Sequence, residues 1–238
     1  MEMSTRMEDR ELTWYEGIKD ALPTFIGYMS IGIAAGIVGA SSNFSVLEIG
    51  LLSALVYAGA AQFIIFALLV QGTPISVIVF TTFIVNLRHL LMSMTLAPVL
   101  TKYSLLKNIG IGALLTDETF GVAVTRMAKK EPINDRWMYG LNLSAYAGWI
   151  MASVLGATAG KWISNPKAFG LDFALTAMFV ALLVLQLQNL KESRLKLYLT
   201  LILYTAILMF ILSMFVSISI AVLLSTIIAA AIGAVMDR

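Results

Sequence analysis

The amino-acid sequence predicts an all-α protein that crosses a membrane several times, and its composition leads to that fold class. Of its 238 residues, 59% are apolar and 13% are charged, whereas soluble domains have roughly 45–50% apolar and about 25% charged residues. The mean hydropathy is +0.88. Nine of the 30 charged residues lie within residues 1–20. We therefore divide the chain into a cytoplasmic or interfacial N-terminal segment, 1–20, and a single transmembrane domain, 21–236.

The predicted membrane spans are uncharged or nearly uncharged stretches of about 20 residues, the length that a helix needs to cross a bilayer. Six of them lie at 21–40, 49–70, 75–97, 104–125, 139–160 and 172–190. Gly72 and Pro74 favour a turn between the second and the third. The 40 uncharged residues at 197–236 are too many for one crossing, so we predict two spans that meet near 213–219. Eight spans are expected, with seven as the alternative.

The orientation of the chain follows from its Lys and Arg residues, which are more frequent in cytoplasmic loops. With eight spans, 11 of them lie on the side that holds both termini and 4 on the other side. Both termini are therefore expected in the cytoplasm. Trp14 and Tyr15, just ahead of the first span, suit an interfacial helix on that face.

Two patterns concern the packing of the spans. The tripeptide Tyr-Ala-Gly at 57–59 recurs at 146–148, and the same shift of 89 residues brings spans 1–3 close to spans 4–6. An odd number of helices per unit inverts the second copy, so we predict an inverted repeat of spans 1–3 and 4–6. Small residues at a spacing of four form a ridge along span five, which indicates close helix packing. The ridge consists of Gly148, Ala152, Gly156 and Gly160.

Three charged residues lie near the middle of predicted spans, where charges are costly and usually face a protein interior or a water-filled cavity. Arg88 lies in span three, and Asp117 and Glu118 lie in span four. Adjacent helical residues point about 100° apart, so the two acids face different partners. Asp117 shares a face with small residues, and Arg88 is its expected counter-ion. Glu118 is then left without a cation, and a buried unpaired carboxylate tends to hold a proton. It is a candidate proton carrier, unless the pair of Arg88 and Asp117 only holds the two spans together.

Further polar residues lie in spans two and three. Asn86 and His89 share one face of span three, and Arg88 points nearly opposite to Asn86 if the helix is continuous. Gln62 lies in the middle of span two. Gln62 and Asn86 either contact a ligand or form a hydrogen bond between helices. His89 either takes part in function or is structural.

The sequence also excludes several classes of function. It has no cysteine, so disulfides, Cys-ligated zinc and thiol catalysis are excluded. Its single histidine cannot form a His-based metal site. It has no HExxH, GxSxG, Walker A or GxGxxG motif, so no enzyme activity, metal or cofactor is predicted. No basic stripe suggests nucleic acid, and the acidic first twenty residues predict no cleaved signal peptide.

Three segments in order resemble the AzlC family, the large subunit of branched-chain amino acid exporters. They are Tyr-Ala-Gly-Ala-Ala-Gln-Phe at 57–63, Asn-Leu-Arg-His at 86–89 and Thr-Asp-Glu-Thr-Phe at 116–120. The resemblance extends from about residue 15 to 236. It implies a permease of the cell inner membrane that exports leucine, isoleucine and valine, with methionine and toxic leucine analogues in some members. It also implies a small, separately encoded hydrophobic subunit of the AzlD type.

On this resemblance we hypothesise a site for a zwitterionic substrate. Its carboxylate would bind Arg88, whose planar guanidinium suits bidentate binding. Its ammonium would bind Asp117, helped by the amide oxygen of Gln62 or Asn86. Tyr57, in the first motif, is a further candidate substrate-binding residue.

Proton coupling is assigned to Glu118, with His89 as a second candidate, so that an inward proton would exchange for an outward amino acid. The alternatives are a transporter or channel for another small solute, or a structural membrane subunit.

Overall fold

The computed structural model describes residues 12–163, 192–216 and 218–236, together with short pieces between 168 and 187. The chain forms two compact units, Met1–Leu175 and Thr176–Arg238, which we call unit 1 and unit 2. The helices of unit 1 are α1 (Trp14–Ser41), α2 (Val46–Leu55), α3 (Gly59–Val70), α4 (Ile75–Leu100), α5 (Leu105–Ala113), α6 (Asp117–Ala128) and α7 (Asp135–Gly160). Those of unit 2 are α8 (Glu192–Ser213) and α9 (Ile218–Met236), which pack against each other.

Several helices begin where the sequence supplies a side-chain cap. Thr13, Ser45 and Thr116 each form a capping box at the start of α1, α2 and α6. In such a box the cap side chain accepts a hydrogen bond from the third residue of the helix, whose side chain bonds back to the cap amide. The hydrogen bond from the Ser45 amide lowers the pKa of the Glu48 carboxyl below its usual value. This box therefore holds at neutral pH.

Helices α1 and α7 lie side by side, parallel and in direct backbone contact. A Cβ on Gly17 would lie 2.2 Å from the Trp137 carbonyl oxygen, and one on Gly36 would lie 2.1 Å from that of Ser153. Gly156, in the predicted ridge, meets the backbone of α1 in the same way. The ridge predicted from the sequence is therefore confirmed as a packing surface. We call the end of unit 1 where α1 and α7 begin the near face, and the end where they finish the far face.

Helices α2 and α3 form a re-entrant hairpin, hairpin A, which enters from the far face and returns to it. Ile49 of α2 and Phe66 of α3 both face Gly39, close to the far end of α1. In one straight helix these two residues would be about 25 Å apart. The helix is instead broken at residues 56–58, where the chain turns back.

Helices α5 and α6 form a second hairpin, hairpin B, which enters from the near face. Lys107 of α5 forms an ion pair with Asp135, at the start of α7. Arg126, close to the end of α6, lies 5.1 Å from the ring centre of Trp137. In one straight helix Lys107 and Arg126 would be about 28 Å apart. Residues 114–116 form the tip of this hairpin.

Between the hairpins, α4 runs from the far face to the near face, where Leu96 and Leu100 join the same apolar cluster as Trp137. The predictions that spans 49–70 and 104–125 each cross the membrane are therefore wrong. Helices α2 and α3 have 10 and 12 residues, about 15 and 18 Å, which is roughly half of a 30 Å hydrocarbon core. Hydropathy counts apolar residues but does not record the direction of the chain.

Length and hydropathy identify fewer spans than the sequence predicted. In the described residues, Ile75–Leu100 and Arg194–Ser213 are each long and apolar enough to span a membrane. Trp14–Pro23 and Phe25–Ser41 make a third if their 61° bend lies within one span; a proline inside a helix accounts for such a bend. The split of the last apolar stretch is confirmed by α8 and α9. The predicted span 172–190 falls largely outside the described residues.

The internal repeat has a different period from the predicted one. Helices α2 and α5 begin 59 residues apart, and α3 and α6 begin 58 residues apart. Each hairpin follows one long helix, so α1–α3 and α4–α6 are two consecutive repeats within unit 1. The hairpins of the two repeats enter from opposite faces. The predicted 89-residue shift is wrong, because the tripeptide at 57–59 lies in a hairpin tip and that at 146–148 lies inside continuous α7.

The hairpins also change the distribution of charge between the faces. Seven of the nine Lys and Arg residues within 12–163 lie at the near face: Lys19, Lys102, Lys107, Arg126, Lys129, Lys130 and Arg136. Lys161 lies at the far face and Arg88 in between. The eight-span count had assigned Lys102 and Lys107 to the outer side. The positive-inside rule now predicts a cytoplasmic near face more strongly, in the orientation first expected.

The re-entrant course of hairpin B predicts the labelling of single cysteines in this naturally cysteine-free chain. Cysteines at Lys102→Cys and Lys130→Cys should both react with a membrane-impermeant maleimide from the same side. A cysteine at Thr73→Cys, on the far face, is the control and should react from the opposite side. Labelling of positions 102 and 130 from opposite sides would mean that residues 104–125 cross the membrane.

The contact between α1 and α7 predicts unequal effects of two glycine substitutions in α1. Gly36→Ala should destabilise the protein by about 1–3 kcal/mol, because the new methyl group overlaps the backbone of α7. A Cβ on Gly27 would have no other atom within 4 Å, so Gly27→Ala is the matched control and should be neutral or slightly stabilising. Thermal unfolding of the detergent-solubilised protein measures both. Equal melting temperatures for the two variants would contradict the close contact.

Candidate functional site

The tips of the two hairpins meet about half-way along unit 1. Tyr57 from hairpin A and Leu114 from hairpin B pack in one cluster with Tyr28 of α1 and Trp149 of α7. The ring of Tyr57 lies edge-on to that of Tyr146, with 4.7 Å between ring centres. Broken helices are tolerated at membrane depth only where protein or an internal cavity surrounds them. The cluster supplies that surrounding.

Arg88 of α4 and Asp117 of α6 form an ion pair at this level. Arg88 Nη1 lies 2.7 Å from Asp117 Oδ2, and the two side chains are 27% and 19% exposed. Asp117 is the first residue of α6, where the positive end of the helix dipole favours a carboxylate. The Nε of Arg88 is buried and has no hydrogen-bond partner among the described residues. The structure thus brings together the two charges that the sequence predicted to pair, and leaves one guanidinium donor unused.

Glu118 is held by a tyrosine that sequence reasoning missed. The Tyr28 hydroxyl donates a hydrogen bond of 2.9 Å to Glu118 Oε2 and also contacts the hydroxyl of Thr116. Within the described part of the chain Glu118 makes no ion pair. Its position differs from the expected one, because it lies in the first turn of α6 and not inside a continuous span. The only sequence signal for Tyr28 was a phenol half-way along an apolar span.

The Gln62 side chain takes part in hydrogen bonds between helices. Its side chain is fully buried; Nε2 donates to Ser53 Oγ at 2.8 Å, and Oε1 accepts from Trp149 Nε1 at 3.1 Å. These bonds join the two helices of hairpin A to each other and to α7. Of the two roles that the sequence left open, the structure gives Gln62 the interhelical hydrogen bond, and neither of its partners is Arg88 or Asp117.

The remaining predicted residues lie around the ion pair. Helix α4 is continuous, so Asn86 and Arg88 point about 200° apart, as the sequence indicated. The oxygens Asn86 Oδ1 and Thr82 Oγ1 are buried without a hydrogen-bond partner among the described residues. His89 Nδ1 lies 3.2 Å from the Asn86 carbonyl oxygen. Tyr57 has a φ of 42°, a left-handed conformation that is strained for a tyrosine and is found most often at functional sites.

A protein-family match covers most of the helices that build the site. Residues 23–163 match the family described as AzlC protein, a range that includes both hairpins, all of α4 and α7, and α1 from Pro23 onwards. The chain belongs to the AzlC family. It is therefore a membrane protein of a transporter family and not of an enzyme family.

Several known membrane proteins resemble most of the chain. The inner membrane protein YgaZ of Escherichia coli K12 is 30% identical over 182 residues, 74% of each protein. An uncharacterised membrane protein of Archaeoglobus fulgidus is 31% identical over 179 residues, 74% of this chain and 75% of that protein. The branched-chain amino acid transport protein AzlC of Bacillus subtilis is 25% identical over 189 residues, 77% of this chain and 73% of that protein. No solved structure matches the chain.

The three segments that carried the AzlC resemblance are the ones that build the site. Residues 57–63 form the tip of hairpin A and the first turn of α3, residues 86–89 lie in the middle of α4, and residues 116–120 form the tip of hairpin B and the first turn of α6. Among the described residues the site therefore has the cation of Arg88 on α4, the carboxylates of Asp117 and Glu118 at the tip of hairpin B, and an unused guanidinium donor. Such an arrangement can bind a small solute that carries both charges.

The hydrogen bonds of Gln62 predict that its removal affects stability and not transport. Gln62→Ala leaves the Trp149 indole N–H buried without a partner, which should cost about 1–3 kcal/mol of stability. Gln62→Ala combined with Trp149→Phe removes both groups, so the combined loss should be smaller than the sum of the two single losses. Thermal unfolding, with transport normalised to folded protein, measures both effects. Loss of transport in a folded Gln62→Ala protein would restore Gln62 as a substrate-binding residue.

Proposed function

We propose that this AzlC-family protein is a membrane transporter subunit that exports leucine, isoleucine and valine, with methionine or leucine analogues as further substrates. The ion pair of Arg88 and Asp117 between the hairpin tips carries the proposal. The name of the Bacillus subtilis relative, a branched-chain amino acid transport protein, supports the choice of substrate. The mechanism is proton-coupled secondary transport.

The ion pair suits a zwitterion because the substrate carries the same two charges as the pair. The substrate carboxylate takes the place of Asp117 at Arg88, using the unused Nε as a second donor. The substrate ammonium takes the place of Arg88 at Asp117. In the empty site the two residues neutralise each other, which avoids leaving isolated charges at membrane depth. Binding therefore exchanges one set of charge pairs for another.

The side chain of the substrate needs only an apolar pocket. The aromatic and aliphatic residues around the tips, including Tyr57 and Leu114, supply that surface. An apolar pocket distinguishes neighbouring aliphatic side chains by about 1–3 kcal/mol per methylene. Acceptance of leucine, isoleucine, valine and methionine by one site follows from this weak discrimination.

Helix α4 carries a row of polar residues on a different side from Arg88. Thr82, Asn86, His89 and Ser93 recur at helical spacing on one side of α4, in line with the buried Ile78 and Leu96. The unsatisfied oxygens of Thr82 and Asn86 can accept hydrogen bonds from a passing ammonium group. Asn86 thus acts in this row and not at Arg88 itself.

Glu118 carries the coupled proton in this proposal, with His89 as the second candidate. Glu118 adjoins Asp117 in the first turn of α6, so a proton on Glu118 changes the charge beside the ammonium site. The Tyr28 hydroxyl bonds the carboxylate directly. Proton entry from outside would thereby be linked to release of the amino acid. The small AzlD-type subunit is the proposed partner, and the near face is the cytoplasmic one.

The proposal predicts that export requires the guanidinium of Arg88. Loss of preloaded radiolabelled leucine should fall to background in Arg88→Ala and about tenfold in Arg88→Lys, which keeps the charge but loses the bidentate geometry. Lys130→Ala, which removes an exposed cation at the near face, is the control and should export normally. The measurement is made with and without an AzlD-type partner and with the proton gradient collapsed, which should stop export.

Normal leucine export by a membrane-inserted Arg88→Ala protein would remove Arg88 from the site. If the unaltered protein and partner insert correctly but export no leucine, isoleucine or valine, the substrate is a different small solute. If no zwitterion is exported and no conductance is found, the ion pair is a structural contact within a membrane subunit.

A further inference from the structure

Three residues from three helices fasten the base of hairpin B at the near face. Arg126 Nη1 of α6 lies 2.8 Å from Asp20 Oδ2 of α1, and its guanidinium lies over the ring of Trp137 of α7. The Trp137 indole N–H donates to the same Asp20 oxygen at 2.9 Å. Arg126 Nε also donates to the Pro132 carbonyl oxygen at 2.9 Å. We call Asp20, Arg126 and Trp137 the near-face latch.

The ion pair of the latch lies where water can reach both side chains and replace the contact between them. The Asp20 side chain is 39% exposed and that of Arg126 is 18% exposed. Ion pairs with such access to solvent contribute only about 0–1 kcal/mol. Opening the latch therefore costs little, whereas separating α1 from α7 would open a contact between two backbones.

Hairpin A is fastened in a different way. At its far-face end Phe66 and Ile49 are buried to 1% and 0% exposure, and Phe44 packs on Phe66 with 5.0 Å between ring centres. Its internal polar bond, from Gln62 to Ser53, is fully buried. Moving hairpin A away from α1 would expose these apolar side chains, and the free energy gained by burying them would be lost. Hairpin B also has buried apolar contacts, at Ile111 and Ala123, but in addition it has ion pairs at the tip and the base that a solute or solvent can exchange.

The tip and the base of hairpin B belong to the same helix. Helix α6 holds Asp117 at its first residue and Arg126 nine residues later, so the two ion pairs of this helix lie at its opposite ends. A solute that takes the place of Asp117 at Arg88 releases α6 from α4. Among the described residues, ionisable side chains of α6 then still hold it to α1 at two points, the latch and the hydrogen bond between Glu118 and Tyr28.

We infer that the near-face latch is a gate: its opening lets hairpin B move away from α1 and admits the solute to Arg88 and Asp117 from the near face. The solute itself rests on the proposed function, but the gate does not depend on which solute is carried. Arg126 acts as a positioning residue, because it holds α6 and does not contact the solute.

Cysteine accessibility tests the gate without any transport assay. A cysteine at Leu114→Cys, in the tip of hairpin B, is labelled with a membrane-impermeant maleimide in inside-out vesicles. Adding Arg126→Gln should raise the labelling rate by up to about fivefold, the factor that corresponds to ~1 kcal/mol. Lys129→Gln removes one positive charge from the exposed end of the same helix and should leave the rate unchanged. The exchanged pair Asp20→Arg with Arg126→Asp should return the rate towards its original value.

A second measurement closes the latch covalently. Cysteines at Asp20→Cys and Arg126→Cys, joined by a short thiol-cleavable crosslinker, should abolish leucine export, and reduction should restore it. Each single cysteine treated in the same way is the control. Equal labelling rates in Arg126→Gln and Lys129→Gln, or normal export by the crosslinked protein, would overturn the gate. If the unaltered protein exports no leucine, the proposed function fails, and the labelling experiment still decides the gate.

Discussion

Direct contact between the backbones of α1 and α7 is the constraint on which the rest of unit 1 depends. Glycine at 36 and at 156 lets a carbonyl group of the neighbouring helix stand where a side chain would otherwise project. Lipid provides no hydrophobic drive between helices, so such close packing has to supply the association energy. Both hairpins are built on this pair: hairpin A contacts Trp149 of α7, and hairpin B contacts Tyr28 of α1. The geometry of the site is therefore set by two helices that carry none of its charges.

The opposed hairpins explain how polar groups come to lie at the middle of an apolar fold. A broken helix exposes amide and carbonyl groups that lipid cannot satisfy, so its tip has to be enclosed by protein. Each hairpin places its tip against the α1–α7 pair, and the two tips then enclose each other through Tyr57 and Leu114. The Thr116 capping box satisfies the start of α6. Asp117 and Glu118 reach mid-depth because the helix begins there.

Composition predicted the all-α membrane fold, and the cost of charge in an apolar environment predicted the pairing of Arg88 with Asp117. The hairpins could not be predicted from hydropathy, since a half-length helix that turns back has the same composition as a crossing. One local signal was present: in the middle of a predicted span Thr116 is followed by Asp117 and Glu118, and a threonine followed by acids is typical of the start of a helix. The contact of Tyr28 with Glu118 and the hydrogen bonds of Gln62 depend on which helices pack together. The sequence of a single segment does not indicate its packing partners.

The two repeats, α1–α3 and α4–α6, have similar arrangements of helices but different residues at their hairpin tips. Helices α3 and α6 begin at equivalent tips, 58 residues apart, yet their first residues differ completely. Helix α3 begins with Gly59, Ala60 and Ala61 and has no side-chain cap, whereas α6 begins with two acids behind a capping threonine. Because the two acids of the site, Asp117 and Glu118, lie on hairpin B, a change in their charge acts on that hairpin and leaves the apolar attachment of hairpin A intact. In a scaffold of two similar hairpins with acids on only one of them, that hairpin can move while the other stays in place. Access to a site from alternate faces requires such independent movement.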